Sequence, residues 1–418
     1  MNKNFKFKEV VIDKKGFLRG PFGGDLKKEI FVPKDKSTYK VYEQGVVLNS
    51  DKTIGRYHVS EVDYLAKLHK FSVQDKDFLI SCSGVNMGAI YQLKEPFDRG
   101  IINQALLRVR LNNEIIDDNY FFYLFKELIC KRITTGSGDS TIPNFPALEV
   151  IKNIEFELPQ ISIQEKIGKL LYDIDSKIEL NTKINDNLEQ MAKTLYDYWF
   201  VQFDFPDANG KPYKTSGGKM VWSDDLRREI PEGWEVLDLS EIANITMGQS
   251  PPGESYNEQG NGMIFYQGCT DFGNRYPTIR KFTTLPTRFA KEGDVLLSVR
   301  APVGTLNIAK DDCCIGRGLA ALNSKDNCIS YLFGVMVNLK QIFDRRNVDG
   351  TTFGSITKDD LFSLKVIKPS NEMLNDFNTI VNPSFEKQNK IELENIELAS
   401  LRDWLLPMLM NGQVKIQD

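Results

Sequence analysis

The feature that most constrains this chain is a helical ladder that occurs twice in the same phase. Ile163, Ile167, Leu170, Ile174, Lys177, Asn181, Ile184, Leu188, Met191, Leu195 and Tyr198 recur at alternating spacings of four and three. Adding 210 to each gives Met373, Phe377, Ile380, Ser384, Lys387, Ile391, Glu394, Leu398, Leu401, Leu405 and Met408. A sustained four-three alternation is the seam of a coiled coil, and its recurrence marks a duplicated unit. The expected seam residues are Ile163, Ile167, Leu170, Ile174, Ile184, Leu188, Met191 and Leu195 in the first copy. In the second they are Phe377, Ile380, Ile391, Leu398, Leu401 and Leu405.

An isolated amphipathic helix with such a stripe is unstable in water and must bury it. Two in one chain, each following a globular segment, are expected to pair antiparallel, which places the globular segments at opposite ends. The first ladder covers 36 residues, about 54 Å of helix at about 1.5 Å per residue. Pro383 interrupts the second, and a proline inside a helix removes an N–H and clashes with the preceding turn. A short helix before Asn382 and a longer one from about Ser384 to Met410 are therefore expected. Four seam positions, Lys177, Asn181, Lys387 and Glu394, are polar. They are either exposed at frayed points or form buried contacts that fix register.

Punctuation by Gly, Pro and Asn divides the rest. Residues 1–158 hold short β-type runs, with one helix near Tyr120 to Arg132, and form a first β-rich domain. Residues 159–205 carry the first ladder, and 206–229, with Gly210, Pro212, Gly217 and Gly218, read as a linker. A second β-rich domain spans 230–369 and the second ladder 370–418. Asp77-Phe78-Leu79-Ile80-Ser81 is echoed by Asp294-Val295-Leu296-Leu297-Ser298, Gly88 by Gly304, and the Gly-rich run at 136–142 by that at 350–356. Offsets of 217 at Asp77 and 214 at Ile142 show that loops vary while the helical register stays fixed. The expected fold class is α+β, with two mixed globular domains, each followed by a long helix, and an internal pseudo-twofold repeat.

A net charge of −4 argues against a nucleic-acid partner only if charge is spread evenly. Residues 1–28 carry eight Lys or Arg against three acids, and residues 275–300 carry six against two. Residues 160–200 run five basic to seven acidic, and 371–418 four to eight. The acid sits on the ladders, and the globular parts keep basic patches suited to phosphate. The six cysteines, Cys82, Cys130, Cys269, Cys313, Cys314 and Cys328, lack a Cys-x-x-Cys pair and are expected to be reduced and mostly buried. No apolar run approaches the ~18 residues of a membrane span, and the start MNKNFKFKEV lacks a signal-like stretch. The expected location is the cytoplasm.

A search for catalytic chemistry finds little. Two histidines, His58 and His69, leave little for a metal cluster or a catalytic triad, and no Gly-x-x-x-x-Gly-Lys-Ser/Thr loop is present. Gly316-Arg317-Gly318 is only a fragment of a glycine-rich loop. Asn382-Pro383-Ser384-Phe385 looks like the loop with which adenine methyltransferases hold a flipped base. It lies inside the ladder without a cofactor loop, and is read as a helix start capped by Ser384 or Asn382. No catalytic residue, metal ligand or cofactor is assigned to this chain.

Several phrases, in order and doubled, resemble the specificity subunit of type I DNA restriction-modification systems over nearly the whole chain. They are Leu158-Pro159-Gln160-Ile161, Gln164-Glu165-Lys166-Ile167, Lys177-Ile178-Glu179-Leu180-Asn181 and Leu188-Glu189-Gln190-Met191-Ala192 running to Tyr198-Trp199-Phe200. Ile230-Pro231-Glu232-Gly233-Trp234, Gly293-Asp294-Val295-Leu296, Arg300-Ala301-Pro302-Val303-Gly304 and Leu401-Arg402-Asp403-Trp404-Leu405-Leu406-Pro407-Met408-Leu409 complete the set. Ser370-Asn371-Glu372-Met373 departs from the Gln-Glu-like phrase of the first repeat. The resemblance implies a non-catalytic subunit with two target-recognition domains, each reading half of a split duplex sequence. It also implies docking to two methylation subunits, which use S-adenosylmethionine to modify adenine. Restriction subunits driven by ATP with Mg2+ would join them in the full complex. A ladder of roughly 50 Å spans about 15 base pairs at roughly 3.4 Å each, room for a spacer that is not read.

Base reading in the major groove needs Arg or Lys for guanine and Asn or Gln for adenine. Candidates in the first domain are Arg19, Lys27, Lys28, Arg56, Asn86 and Gln104; in the second, Gln249, Tyr266, Gln267, Arg275, Arg280, Arg300 and Arg317. Ser137, Thr141, Thr351 and Thr352, in Gly-rich turns, are candidates for phosphate contacts. Two rival readings remain at this level: a self-contained DNA methyltransferase or nuclease, and a coiled-coil scaffold that ignores DNA.

Overall fold

A buried aspartate opens the central strand in each half of the chain, and the two halves are built around these strands. Asp77 caps its own turn by accepting from Gln74 N at 2.7 Å and pairs with Arg110 through two contacts of 2.6 and 2.8 Å. Asp294 accepts from Lys291 N at 2.9 Å and from Asn323 Nδ2 at 2.8 Å. A fully buried carboxylate needs such partners to offset its desolvation. In a computed structural model of the chain, the structure describes residues 3–13, 16–22, 24–135, 145–348 and 355–414. Contacts within the chain form two units, Met1–Ile178 with Glu397–Asp418, and Glu179–Ile396.

In the first unit, strands Lys3–Lys6 (β1) and Glu155–Leu158 (β10) pair antiparallel and bracket the domain. Between them run Phe17–Arg19 (β2), Phe31–Val32 (β3), Tyr39–Tyr42 (β4), His58–Val59 (β5), Phe78–Ser81 (β6), Ile90–Gln92 (β7), Gly100–Ile102 (β8) and Leu106–Val109 (β9). One sheet has the order β2-β9-β6-β7 and the other β3-β5-β4-β8, with β4 and β8 parallel. Strand β6 is buried on both faces. Phe78 and Ile80 join Phe121, Leu124 and Phe125 in one core, while Leu79 joins Val41 and Val59 in the other. Those helical partners belong to a helix that starts at Asp117, whose carboxylate accepts from Tyr120 N at 2.8 Å, and runs from Asp118 through a π turn at Phe125–Ile129 to Thr135. The alternation follows from the two-residue period of a strand between two layers.

The second unit repeats the plan with Glu235–Asp238 (β13) and Lys365–Lys368 (β23) as its bracket, preceded by a hairpin of Met220–Ser223 (β11) and Arg228–Pro231 (β12). Its strands are Ala243–Met247 (β14), Tyr256–Asn257 (β15), Met263–Tyr266 (β16), Phe282–Thr283 (β17), Phe289–Ala290 (β18), Val295–Ser298 (β19), Leu306–Ile308 (β20), Cys313–Ile315 (β21) and Leu319–Ser324 (β22). The sheets run β14-β22-β19-β20 and β15-β17-β16-β21-β18, with β16 and β21 parallel. Val295 and Leu297 face one core and Leu296 the other, as Phe78, Ile80 and Leu79 do.

Two rods carry the ladders, Ile161–Tyr196, extended by a π turn over Asp197–Val201, and Asn371–Met410. They pair antiparallel. Within the second unit, Asn181 Nδ2 donates to Glu394 Oε2 at 2.7 Å and to Asn395 Oδ1 at 2.9 Å, and Gln388 Nε2 donates to the Asn185 carbonyl at 3.1 Å. Farther along, the Phe200 ring lies 4.9 Å from that of Phe377. Within the first unit, Asp175 accepts from Arg402 Nη1 and from the Tyr123 hydroxyl, both at 2.7 Å. Rising numbers on one rod meet falling numbers on the other.

Three sequence expectations need correction. The second rod is unbroken: Pro383 lies on the exposed face, and Val381 and Phe385 on either side are buried. A helix-interior proline costs about 3 kcal/mol, and each buried Val or Phe side chain contributes about 1.5–3 kcal/mol, so packing carries the helix through. Asn382 and Ser384 therefore cap nothing, and Asn382 Nδ2 donates to Glu386 Oε1 at 3.0 Å. The stretch 206–229 is ordered by the β11–β12 hairpin and by Tyr213 stacked on Phe205 at 4.6 Å. The buried stripe is also not purely the apolar ladder. Ile167, Ile174, Phe377 and Asn181 are buried, Ile184, Leu188, Leu195, Ile391, Leu398 and Leu405 half-buried, and Ile163, Leu170, Met191, Ile380 and Leu401 exposed. In place of the exposed ones the structure buries Gln164, Gly168, Leu171, Leu374, Val381, Gln388 and Asn395.

The shift has a local cause. Gln164 Nε2 donates to the Ile115 and Pro159 carbonyls at 3.1 and 2.9 Å, and its Oε1 accepts from Asp117 N at 3.1 Å. Gly168 faces the same turn so closely that a Cβ would stand 2.6 Å from Asp117 Oδ1. The first rod thus turns a polar, small-residue face to its own domain, and its stripe rotates by about one position. Of the four polar seam sites, Lys177 and Lys387 are exposed, whereas Asn181 and Glu394 are in the register contacts. Asn181→Ala should cost about 1–3 kcal/mol by leaving Asn395 and Glu394 short of a donor. In urea unfolding, adding Asn395→Leu should recover part of the loss.

Candidate nucleic-acid interface

In the first unit the ends of β2 and β6 and the starts of β7 and β9 meet in one group of loops. Gly20 N donates to the Leu106 carbonyl at 2.9 Å, and Cys82 N to the Ala105 carbonyl at 2.8 Å. At Gly20 the backbones come so close that a Cβ would lie 1.8 Å from the Asn103 carbonyl, so only glycine fits. Gln44 pins the neighbouring loop by donating to Ser81 Oγ at 2.7 Å and to the Ser83 carbonyl at 2.6 Å. Arg19, Asn86 and Gln104 project from this group and are exposed, and Arg19 Nε lies 3.5 Å from the Gln104 carbonyl. Phe22 and Val85 stand 85% and 94% exposed on the same loops. The Cys82 thiol beneath is pushed up to about 12 by burial, against the nearby Arg19 charge, and is not a nucleophile.

The second unit builds the same cradle. Gly248 N donates to the Leu319 carbonyl at 2.9 Å, and a Cβ on Gly248 would lie 2.1 Å from the Gly316 carbonyl. Gln249 N donates to the Ile315 carbonyl, Gly316 N to the Tyr266 carbonyl and Val299 N to the Gly318 carbonyl, at 3.0, 2.8 and 3.0 Å. These bonds gather Gln249, Gln267, Arg300 and Arg317, all exposed. Gln104 and Arg317 are equivalent, each two residues before the strand that crosses its sheet. Amide and guanidinium groups on loops held by backbone bonds suit readout of base edges in the major groove.

The remaining candidates part company. Lys27, Lys28 and Arg56 are exposed but border β3 and β5, away from the loop group, and Arg56 Nη2 donates to the Tyr57 hydroxyl at 2.9 Å. Arg280 Nε donates to Asp271 Oδ1 at 2.9 Å, and Asp271 Oδ2 accepts from Gln267 N at 3.0 Å, so Arg280 braces the Gln267 loop. Tyr266 is fully buried and its burial raises the phenol pKa, and Arg275 is 9% exposed, so neither faces a ligand on the surface. Arg275 Nε donates to Asn389 Oδ1 at 2.6 Å and its guanidinium lies 4.7 Å from the Phe385 ring, which makes it a brace for the second rod. Ser137, Thr141, Thr351 and Thr352 lie outside the described residues. Gln44, Phe22, Val85 and Asp271 were not apparent from sequence, because burial and exposure at loop ends leave no periodic signal.

With this geometry in place, comparison with known proteins is informative. The family model described as the type I restriction modification DNA specificity domain matches twice, over residues 23–190 and 231–394. The putative type I restriction enzyme MjaX specificity subunit of Methanocaldococcus jannaschii is 32% identical over 79% of this chain and 75% of its own length. The MjaIX specificity subunit of the same organism is 25% identical over 95% and 88%. The fold matches the crystal structure of a type I restriction-modification system S subunit from M. genitalium, with a TM-score of 0.62 over 98% of this chain and 96% of that one at 16% identity.

Arg317→Ala should lower duplex affinity by about 1–3 kcal/mol if the guanidinium reads a base in bidentate fashion, and should relax preference at positions in one half of the target only. Competition binding with targets mutated one position at a time checks both. Tyr266→Phe should leave binding and stability unchanged or slightly improved, because the lost hydroxyl is buried without a hydrogen-bond partner among the described residues.

Proposed function

The chain belongs to the type I restriction modification DNA specificity family, and from that premise we propose that its two loop groups read the two halves of a bipartite duplex target. The observation that supports the reading is the doubled cradle, Gly20 against Asn103 and Gly248 against Gly316, which gathers a different set of exposed amide and guanidinium side chains in each copy. The chain is a recognition subunit and not a catalyst. Its partners are duplex DNA and the methylation and restriction subunits of a type I complex. Two methylation subunits dock along the rods, one for each repeat. Those partners bring S-adenosylmethionine, ATP and Mg2+, and this chain holds none of them. No described helix is long and apolar enough to cross a membrane. The cytoplasm, where the host DNA lies, is the proposed location.

Replacing residues 1–158 with the first domain of another family member should change one half of the recognised sequence and leave the other half intact. Mapping methylated adenines in DNA modified by the assembled complex reads this directly, and a change in both halves would defeat the modular reading. Affinity should also fall steeply between 50 and 200 mM salt, since phosphate contacts release counterions. A scaffold that ignores DNA would show no such slope. The purified chain incubated alone with DNA and labelled S-adenosylmethionine should transfer no methyl group, which separates it from a self-contained methyltransferase.

A further inference from the structure

The two repeats differ sharply at one matched position away from the reading loops. In the second sheet of the first unit, Lys40 on β4 is the cross-strand partner of His58 on β5. In the second unit the same pairing, one strand from the parallel β16–β21 ladder, joins Ile264 on β16 to Phe282 on β17. The alignment is fixed by Tyr42 and Tyr266, which precede Asn103 and Gly316 through equivalent parallel pairs, Tyr42 with Ile102 and Tyr266 with Ile315. The fold therefore accepts an apolar pair here. The first repeat instead buries two polar side chains, which costs free energy unless something compensates it.

The protein itself compensates them poorly. Lys40 is 2% exposed, and among the described residues its ammonium has one hydrogen bond, to the Lys52 carbonyl at 2.6 Å, and lies 5.2 Å from the Tyr42 ring centre, with no carboxylate in contact. Its burial holds the lysine below its ordinary pKa range, against the weaker pull of Asp98. His58 is 5% exposed, and neither ring nitrogen has a hydrogen-bond partner among the described residues. Both line an open pocket of about 420 Å3 whose rim carries Lys34, Lys36 and Arg99. Its two carboxylates are occupied: Asp98 accepts from Lys34 at 2.8 Å, and Asp35 accepts from the Ser37 hydroxyl at 2.7 Å. Under-partnered nitrogens at the floor and Lys36 at the rim, with Lys34 held by Asp98 and Arg99 by the Lys36 carbonyl, outline a site for an oxyanion.

We propose that this pocket binds a phosphoryl group, through Lys40 and His58 at its floor and Lys36 at its rim, and that only the first repeat has such a site. The group comes either from the DNA backbone or from a free phosphate-bearing molecule. The site lies at the opposite end of β8 from Gln104, roughly 15 Å away at about 3.3 Å per residue, and so is separate from base reading. It does not depend on the DNA-reading role, because inorganic phosphate alone tests it.

The chain has two histidines, His58 buried and His69 exposed, so their side-chain nitrogen signals in the full-length protein serve as probe and internal control. Titration with inorganic phosphate at constant ionic strength should shift the His58 signals saturably and leave those of His69 in place. A parallel titration with a short duplex identifies the source. Movement of His58 by the duplex assigns the DNA backbone, and movement by inorganic phosphate alone assigns a free ligand. Absence of a response to both, or a response that follows ionic strength only, overturns the proposal. The double variant Lys40→Ile with His58→Phe installs the pair that the second repeat already folds with. It should abolish the phosphate-dependent rise in Tm expected of the parent, and a rise that persists in the variant equally overturns the site.

Discussion

Register between the rods is set by polar atoms, and the rest of the molecule depends on it. Leucine and isoleucine stripes would hold two helices together at several axial offsets, since one heptad packs much like the next. Asn181 bonded to Asn395 and Glu394, and Gln388 bonded to the backbone of Asn185, are satisfied at one offset alone. A slip by one turn would strand buried amides without partners, at about 1–3 kcal/mol each. Asp175, shared by Tyr123 and Arg402, applies the same discipline within the first unit and joins it to a domain helix. Stability comes from the apolar contacts, and uniqueness from the amides.

The candidate reading loops rest mainly on their backbones, with Gln44 in the first unit and the Asp271–Arg280 pair in the second as side-chain braces. Gly20 and Gly248 let two backbones touch, and the amide-to-carbonyl bonds around them close each cradle. Side chains at Gln104, Gln249 and Arg317 then project from them, and Arg19 reaches back to the Gln104 carbonyl at 3.5 Å. A buried aspartate at the start of β6 and of β19 keeps the supporting strand in place from below. Framework and candidate readout are thus carried largely by different atoms.

What could be read from the sequence follows the same division. The doubled ladder gave the rods, their antiparallel pairing and the repeat, because helical periodicity survives in any sequence that buries a stripe. It mislaid the stripe by one position, because Gln164 and Gly168 are chosen by the turn at Asp117 and carry no hydrophobic signal. Pro383 misled in the opposite sense: a local rule was overridden by Val381 and Phe385 packing on either side. Among the reading candidates, Arg19, Gln104, Gln249 and Arg317 lie exposed on loops, whereas Tyr266 and Arg275, which sequence alone does not set apart from them, are buried. A residue's chemistry is visible in sequence, but the direction in which it points is decided by its strand partners.

The first unit is assembled from both extremities of the described chain. Leu405, Leu406, Leu409 and Met410 pack with Ile167, Leu171 and Phe121 in one core. During synthesis that core waits for the intervening 218 residues (396 − 178), a delay of about 10–40 s at about 5–20 residues per second. Throughout that interval Ile167 and Leu171 face solvent or a temporary cover. Completion of the first half is therefore a late event, and it makes the ribosome's timetable, and not only the final energy, a determinant of whether the polypeptide reaches its native state.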